Sequence, residues 1–173
     1  LLLDSPIVPH LIQKLETSKE KISFARVDAD HVNNLIKKDD TPISKLNEEE
    51  KVSLKTTIEE AVNDKKFSVQ VEDLESSEAP FMITQPEFMR RMKDMQATGG
   101  GGGMFGMGGF PEMYNLVVNS NSELAAEILK NENAEEKKSK IKYALDLAKL
   151  SQNLLKGKDL TEFIQRSYQQ LSK

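Results

Sequence analysis

Residues 133–171 carry two consecutive amphipathic patterns with more apolar surface than one small sheet can cover, and this limits the folds open to the chain. Asn133 with Glu136 three residues later is a capping-box pattern. Ile141, Ala144, Leu145 and Ala148 then fall on one helical stripe, Tyr143, Leu147, Leu150 and Leu154 widen it, and Leu155 closes it. The spacing predicts a helix running to Lys156, with Gly157 as its left-handed stop. Asp159 and Glu162 open a last helix, on which Leu160, Phe163, Ile164, Tyr168 and Leu171 form a second stripe. The first helix, roughly 22 residues, would extend about 33 Å. Either the two helices close their own domain, or they pair with a second copy as a four-helix bundle. Burying about ten such side chains yields at most about 15–30 kcal/mol, against an association cost of about 4–15 kcal/mol. The pairing is therefore physically open. It would place Ile141, Ala144, Leu145, Leu147, Ala148, Leu150, Leu154, Leu155, Leu160, Phe163, Ile164, Tyr168 and Leu171 at a dimer interface.

The upstream sequence reads as a small α+β fold. Asn47 and Glu50 make another capping box, followed by Leu54, Ile58, Ala61 and Val62 on one helix face. Phe67, Val69 and Val71 alternate with Ser68, Gln70 and Glu72, which predicts a half-buried strand. Phe81–Thr84 reads as its partner across the Glu75–Glu78 turn, and Tyr114–Val118 as a third strand. Ser122–Lys130 reads as a helix. Together these make a small mixed sheet with packed helices.

The charged, proline-ended stretch Lys37–Pro42 reads as a linker. Before it, Leu1–Leu3, a helix from Asp4-Ser5-Pro6 and a strand over Ile22–Val27 make an incomplete α/β unit. Residues 1–40 are thus expected to be the tail of a preceding domain, and 41–173 a domain of their own. The opening Leu1-Leu2-Leu3-Asp4, with no Met, suggests a fragment.

Residues 87–113 differ from the rest of the chain. They hold six of the seven Met residues, and eight of the nine Gly residues lie between 99 and 109. Phe88, Met92 and Met95 share a helix face with Met89 beside them. The glycine-rich loop continues the theme with Met104, Phe105, Met107 and Phe110. One reading is an ordinary core helix that uses Met. The other is an adaptable binding surface, because Met is unbranched and polarisable and repacks against varied partners. Apolar side chains on a glycine tether favour the second.

Little in the chain points to catalysis. Gly101, Gly103 and Gly106 match dinucleotide-loop spacing, but the loop follows a helical pattern and opens no helix that could meet a pyrophosphate. His10 and His31 stand alone, and there is no Cys, so no metal set is legible. A net charge of −4 speaks against nucleic acid. No apolar run is long enough to insert stably in a membrane. A Met-rich signal-sequence or membrane-targeting module remains the alternative. Modules of that kind are basic where they bind RNA, whereas residues 87–113 carry equal numbers of acids and bases.

The order of motifs resembles the C-terminal domain of the ninety-kilodalton heat-shock chaperones. Phe67–Leu74, Ala79–Thr84 and the amphipathic Met helix match its first half. Tyr114–Asn119 and Glu123–Leu129 are similar to its third strand and following helix, and the last two helices to its dimerisation pair. Leu1–Pro6 looks like the close of its middle domain. Two departures stand out. The Gly/Met loop elaborates a usually plainer connection, and Asn119-Ser120-Asn121-Ser122 replaces the Asn-Pro-x-His turn common after the third strand. The end, Gln169–Lys173, lacks the acidic co-chaperone peptide of cytosolic eukaryotic members, which points to a bacterial one.

The resemblance implies an ATP-driven, cytoplasmic, homodimeric chaperone of the stress response that assists protein folding. Its ATP and Mg²⁺ would be bound in an N-terminal domain outside this chain, which itself would hold no cofactor and be no enzyme. Its partners would be a second copy and unfolded client proteins. By position, client contact would fall on Phe88, Met89, Met92 and Met95.

Overall fold

A computed structural model describes residues 8–18, 22, 24, 42–86, 89 and 112–171. Among them are five helices and three strands: α1 (Val8–Ser18), α2 (Glu48–Val62), β1 (Phe67–Glu72), β2 (Phe81–Thr84), β3 (Tyr114–Asn119), α3 (Glu123–Lys130), α4 (Ala134–Ser151) and α5 (Gly157–Leu171). The α+β class read from the sequence is borne out. The chain divides into two compact units, one of residues 1–38 and 84–114, the other of 39–83 and 115–173.

In the first unit, α1 is held near its end by Thr17, whose hydroxyl donates to the Gln13 carbonyl at 2.8 Å. The Glu16 carboxylate accepts the Phe24 backbone N–H at 2.8 Å. Of the strand expected over Ile22–Val27, only Ile22 and Phe24 are described, and neither is in a strand. Leu1–Leu3 and Lys37–Asp40 lie outside the described residues.

The second unit is built on a sheet of order β1–β3–β2, so the last strand in sequence enters between the other two. The central position explains its composition: Leu116, Val117 and Val118 are all fully buried, as expected of a strand covered on both faces. The edge strand β1 instead alternates, with Val69 buried and Ser68 and Gln70 exposed.

Helix α2 packs on β1 and against α3 and α4. Its Leu54 and Ile58, one turn apart, are fully buried. The capping box at its start is formed as expected: the Asn47 side chain accepts the Glu50 N–H at 2.8 Å, and the Glu50 carboxylate accepts the Asn47 N–H at 2.9 Å. Glu48, Glu49 and Glu50 in the first turn complement the positive helix end. Asn63 ends the helix in the left-handed region, at φ 42°.

Candidate association surface

Helices α4 and α5, joined by residues 152–156, pack against each other. Arg166 Nη2 donates to Asp146 Oδ2 at 2.6 Å. One turn further along, the Tyr143 and Phe163 rings stack with centroids 5.3 Å apart, and the Ser167 hydroxyl reaches the Tyr143 hydroxyl at 3.4 Å. On its other side α4 meets the core, where the Lys149 ammonium lies 5.1 Å above the Phe67 ring.

The ends of α4 differ from expectation. At its start the Asn133 side chain caps Glu135 and Glu136, but the return arm of the capping box is rerouted. The Asn133 N–H donates to the Asn131 side chain at 2.8 Å, and the Glu136 carboxylate accepts from the side-chain amides of Asn131 and Asn133. The helix ends at Ser151, not Lys156. The Asn153 N–H donates to the Leu150 carbonyl and the Leu154 N–H to the Lys149 carbonyl, with Asn153 left-handed at φ 54°. That is a Schellman stop, and Asn153 supplies it. Gly157 is also left-handed, at φ 58°, but it opens α5.

The apolar residues read as one interface are divided by the fold. Ile141, Ala144, Leu145, Ala148, Leu155 and Phe163 are buried within the unit, and Leu154 and Leu160 are half-buried. The remainder face outward: Leu147 is 46% exposed, Leu150 40%, Ile164 43%, Tyr168 67% and Leu171 84%. Ile141 and Leu145 are the large aliphatics that α4 turns inward, and Leu147 and Leu150 are those left outside. Beside Leu147 runs a mainly apolar groove of about 540 Å³ along α4, walled by Phe81, Leu124 and Tyr143 and floored by Ala144 and Ala148. The Lys140–Glu127 pair, at 2.6 Å, spans from α4 to α3 at its rim.

A second cluster was not foreseen as a site. Asn119, Ser120, Asn121 and Ser122 are all buried, although none is apolar. The Asn119 amide donates to the Glu75 carbonyl at 2.9 Å, and the Asn121 amide to those of Leu74 at 2.9 Å and Ile43 at 3.2 Å. The Asn121 side-chain oxygen Oδ1 in turn accepts the Lys45 backbone N–H at 2.8 Å. The Ser120 hydroxyl donates to Asp73 at 2.5 Å, and the Ser122 hydroxyl caps α3 by accepting the Ala125 N–H at 3.2 Å. Lys51 on α2 reaches Asp73 at 2.8 Å. Burial pushes the Asp73 carboxyl up, but hydrogen bonds from Lys51, Ser120 and Ser44 outweigh it and hold the group below its ordinary value. Hydrogen bonds to Asp73 and then Glu48 raise the Lys51 ammonium. The turn thus stitches segment 42–46, the loop after β1 and the start of α3 together. The only local signal was four polar residues directly following a buried strand.

Of the Met-rich set, Met89 is helical and half-buried. Phe88, Met92, Met95, Met104, Phe105, Met107 and Phe110 lie outside the described residues. Among the described residues no three metal-ligating side chains converge, and no helix is long and apolar enough to cross a membrane.

These features define a small α+β domain on a three-stranded sheet, closed by a helical hairpin with an uncovered apolar edge. Its sequence is similar to the chaperone protein HtpG of several bacteria. It is 38% identical to that of Porphyromonas gingivalis over 135 residues, 76% of this chain and 19% of the relative. It is 37% identical to that of Bacteroides thetaiotaomicron over 137 residues and 36% to that of Bacteroides fragilis over 138, each alignment taking in 78% of this chain. No family model matches. The chain is a relative of one segment of the HtpG chaperones, and it spans about a fifth of the length of the relatives it matches.

Proposed function

We propose that this chain is the homodimerisation and client-contact segment of an ATP-dependent chaperone, situated toward the C-terminal end of the whole protein. On this reading residues 1–40 are the tail of the preceding middle domain. ATP and Mg²⁺ belong to a part of the cytoplasmic protein outside these residues, and the segment itself performs no catalysis.

The observation that supports self-association best is the row Leu147, Leu150, Ile164, Tyr168 and Leu171, uncovered on one helical hairpin of a chain related to HtpG. Scattered exposed apolar residues need no explanation, but five on two successive helices, recurring at helical spacing on each, favour an interaction site. In a dimer these five would form the contact between copies. The inward residues Ile141, Ala144, Leu145, Ala148, Leu155 and Phe163 would support it from beneath, and Leu154 and Leu160 would lie at its edge. Sedimentation across the micromolar range tests the reading: a dimer is expected, and a strict monomer sinks it.

Client contact is assigned to Phe88, Met89, Met92 and Met95 with Met104, Phe105, Met107 and Phe110, because their side chains adapt to unlike partners. Changing Met92, Met95, Met104 and Met107 to Ser in the whole protein should lower suppression of client aggregation and leave the dimer intact. Unchanged suppression would reduce the segment to a spacer.

A further inference from the structure

We propose that the Asp146–Arg166 ion pair is a register pin, which fixes how far α5 is slid along α4 and so sets the shape of the self-association face. The proposal rests on the self-association reading above.

Among the described residues Asp146 is the only buried charged one. Its side chain is 8% exposed, that of Arg166 is 34%, and the pair closes at 2.6 Å. It lies between Leu145, which faces the core, and Leu147, which faces outward. A carboxylate in that position is costly unless it is paired, so its partner decides which arrangements of the hairpin are allowed.

Apolar packing alone does not exclude every slip. Leu160, Phe163, Ile164, Tyr168 and Leu171 recur every three or four residues, and the slip of three that brings Leu160 to the place of Phe163 keeps that buried place apolar. The other one-turn slips bring Asp159, Arg166 or Ser167 there and are disfavoured by packing already. Opposite Asp146 the outcome differs. A slip of four residues brings Glu162 or Gln170 to the place of Arg166, and a slip of three brings Phe163 or Gln169. None is a cation, and Glu162 adds a like charge. The one other basic residue on α5, Lys158, lies in its first turn. Every one-turn slip therefore strands a buried carboxylate. A single polar contact within an apolar seam fixes register in coiled coils for the same reason.

The register matters outside the hairpin because the exposed row is shared by both helices. A one-turn slip would carry Ile164, Tyr168 and Leu171 about 5.4 Å past Leu147 and Leu150. An isologous dimer face must complement itself, so the displaced row would no longer match its copy.

The test uses the double variant Asp146→Leu with Arg166→Met, which removes both charges and keeps apolar volume. The chain has no Cys, so spin labels on Lys138→Cys and Gln169→Cys report the α4–α5 spacing directly. The double variant is expected to fold, to broaden or shift that distance distribution, and to raise the dimer dissociation constant about tenfold or more, equivalent to about 1.4 kcal/mol. Reversing the pair, with Asp146→Arg and Arg166→Asp, should restore the narrow distribution.

An unchanged distance distribution in a folded double variant overturns the pin. A shifted distribution with unaltered dimerisation overturns its link to the association face. If the wild-type chain is a monomer, the self-association reading fails, and the distance measurement still decides whether the pair sets the register. Should the double variant not fold, Asp146→Asn, which keeps the shape and loses the charge, is measured by the same two readouts.

Discussion

Leu147→Glu is the sharpest probe of the outward row. Leu147 is 46% exposed, so its packing within the unit is already partial and the folded monomer should tolerate the change. Taken together, the five exposed fractions amount to about three whole apolar side chains per copy. Covering both copies would then yield about 8–17 kcal/mol at roughly 1.5–3 kcal/mol each, against an association cost of about 4–15 kcal/mol. The surplus is modest, so one well-placed change should tell. Losing the covered half of Leu147 in both copies removes about 1.4–3 kcal/mol, and burying two unpartnered carboxylates costs about 2–6 kcal/mol more. The dissociation constant should rise on the order of 10²–10⁶-fold. Analytical ultracentrifugation reads the association, and circular dichroism with thermal melting confirms that the monomer is intact. A variant with native helicity and wild-type association would refute the placement of the interface, and Tyr168→Glu would then show whether the face lies wholly on α5.

Other expectations concern the framework. Asn121→Ala removes the acceptor for Lys45 and the donors for Leu74 and Ile43, and should cost about 2–4 kcal/mol by urea denaturation. Hydrogen exchange at the Lys45 amide should accelerate with it, and a protected amide would show that other contacts hold segment 42–46. Asp73 is held below its ordinary value of 3.8, so its contribution to stability is present above that value and is lost as pH falls through the lower folded one. Asp73→Asn should therefore flatten the acid limb of a stability–pH profile, and an unchanged limb would mean that other carboxylates govern it. Gly157→Ala should cost about 1–2 kcal/mol in thermal unfolding through backbone strain alone, because an added Cβ at φ 58° meets nothing within 4 Å. A neutral result would show that the start of α5 relaxes freely.

What the sequence revealed depended on the range of the interaction. The Asn47–Glu50 cap is a local exchange three residues apart, and β1 announces itself by alternation on a half-covered edge. The end of α4 misled because two residues four positions apart, Asn153 and Gly157, both adopt left-handed backbone. Glycine is the usual choice for such a stop, so local preference picked the wrong one. The polar turn at 119–122 was invisible as a cluster because its partners at Ile43, Lys45, Asp73, Leu74 and Glu75 lie 44–78 residues away. The wide apolar arc of α4 was legible as an excess, but sequence could not divide it into inner and outer parts. That division depends on which side of α4 the fold turns toward α2 and α3.

The two ends of the second unit are held by opposite physics, and this bears on where a partner can dock. At the Asn119–Ser122 turn, buried polar groups are satisfied within the chain, so a partner there would have to break hydrogen bonds to gain any. At the α4–α5 hairpin the inner face is filled by Ile141, Ala144, Leu145, Ala148 and Phe163, and the central strand is already fully covered. Leu147, Leu150, Ile164, Tyr168 and Leu171 therefore cannot turn inward without displacing close-packed residues, which costs more than leaving them in water. A second surface brought against them would bury apolar area. The row is the place where association gains most and disturbs least, and the Asp146–Arg166 pair joins the two helices that carry it.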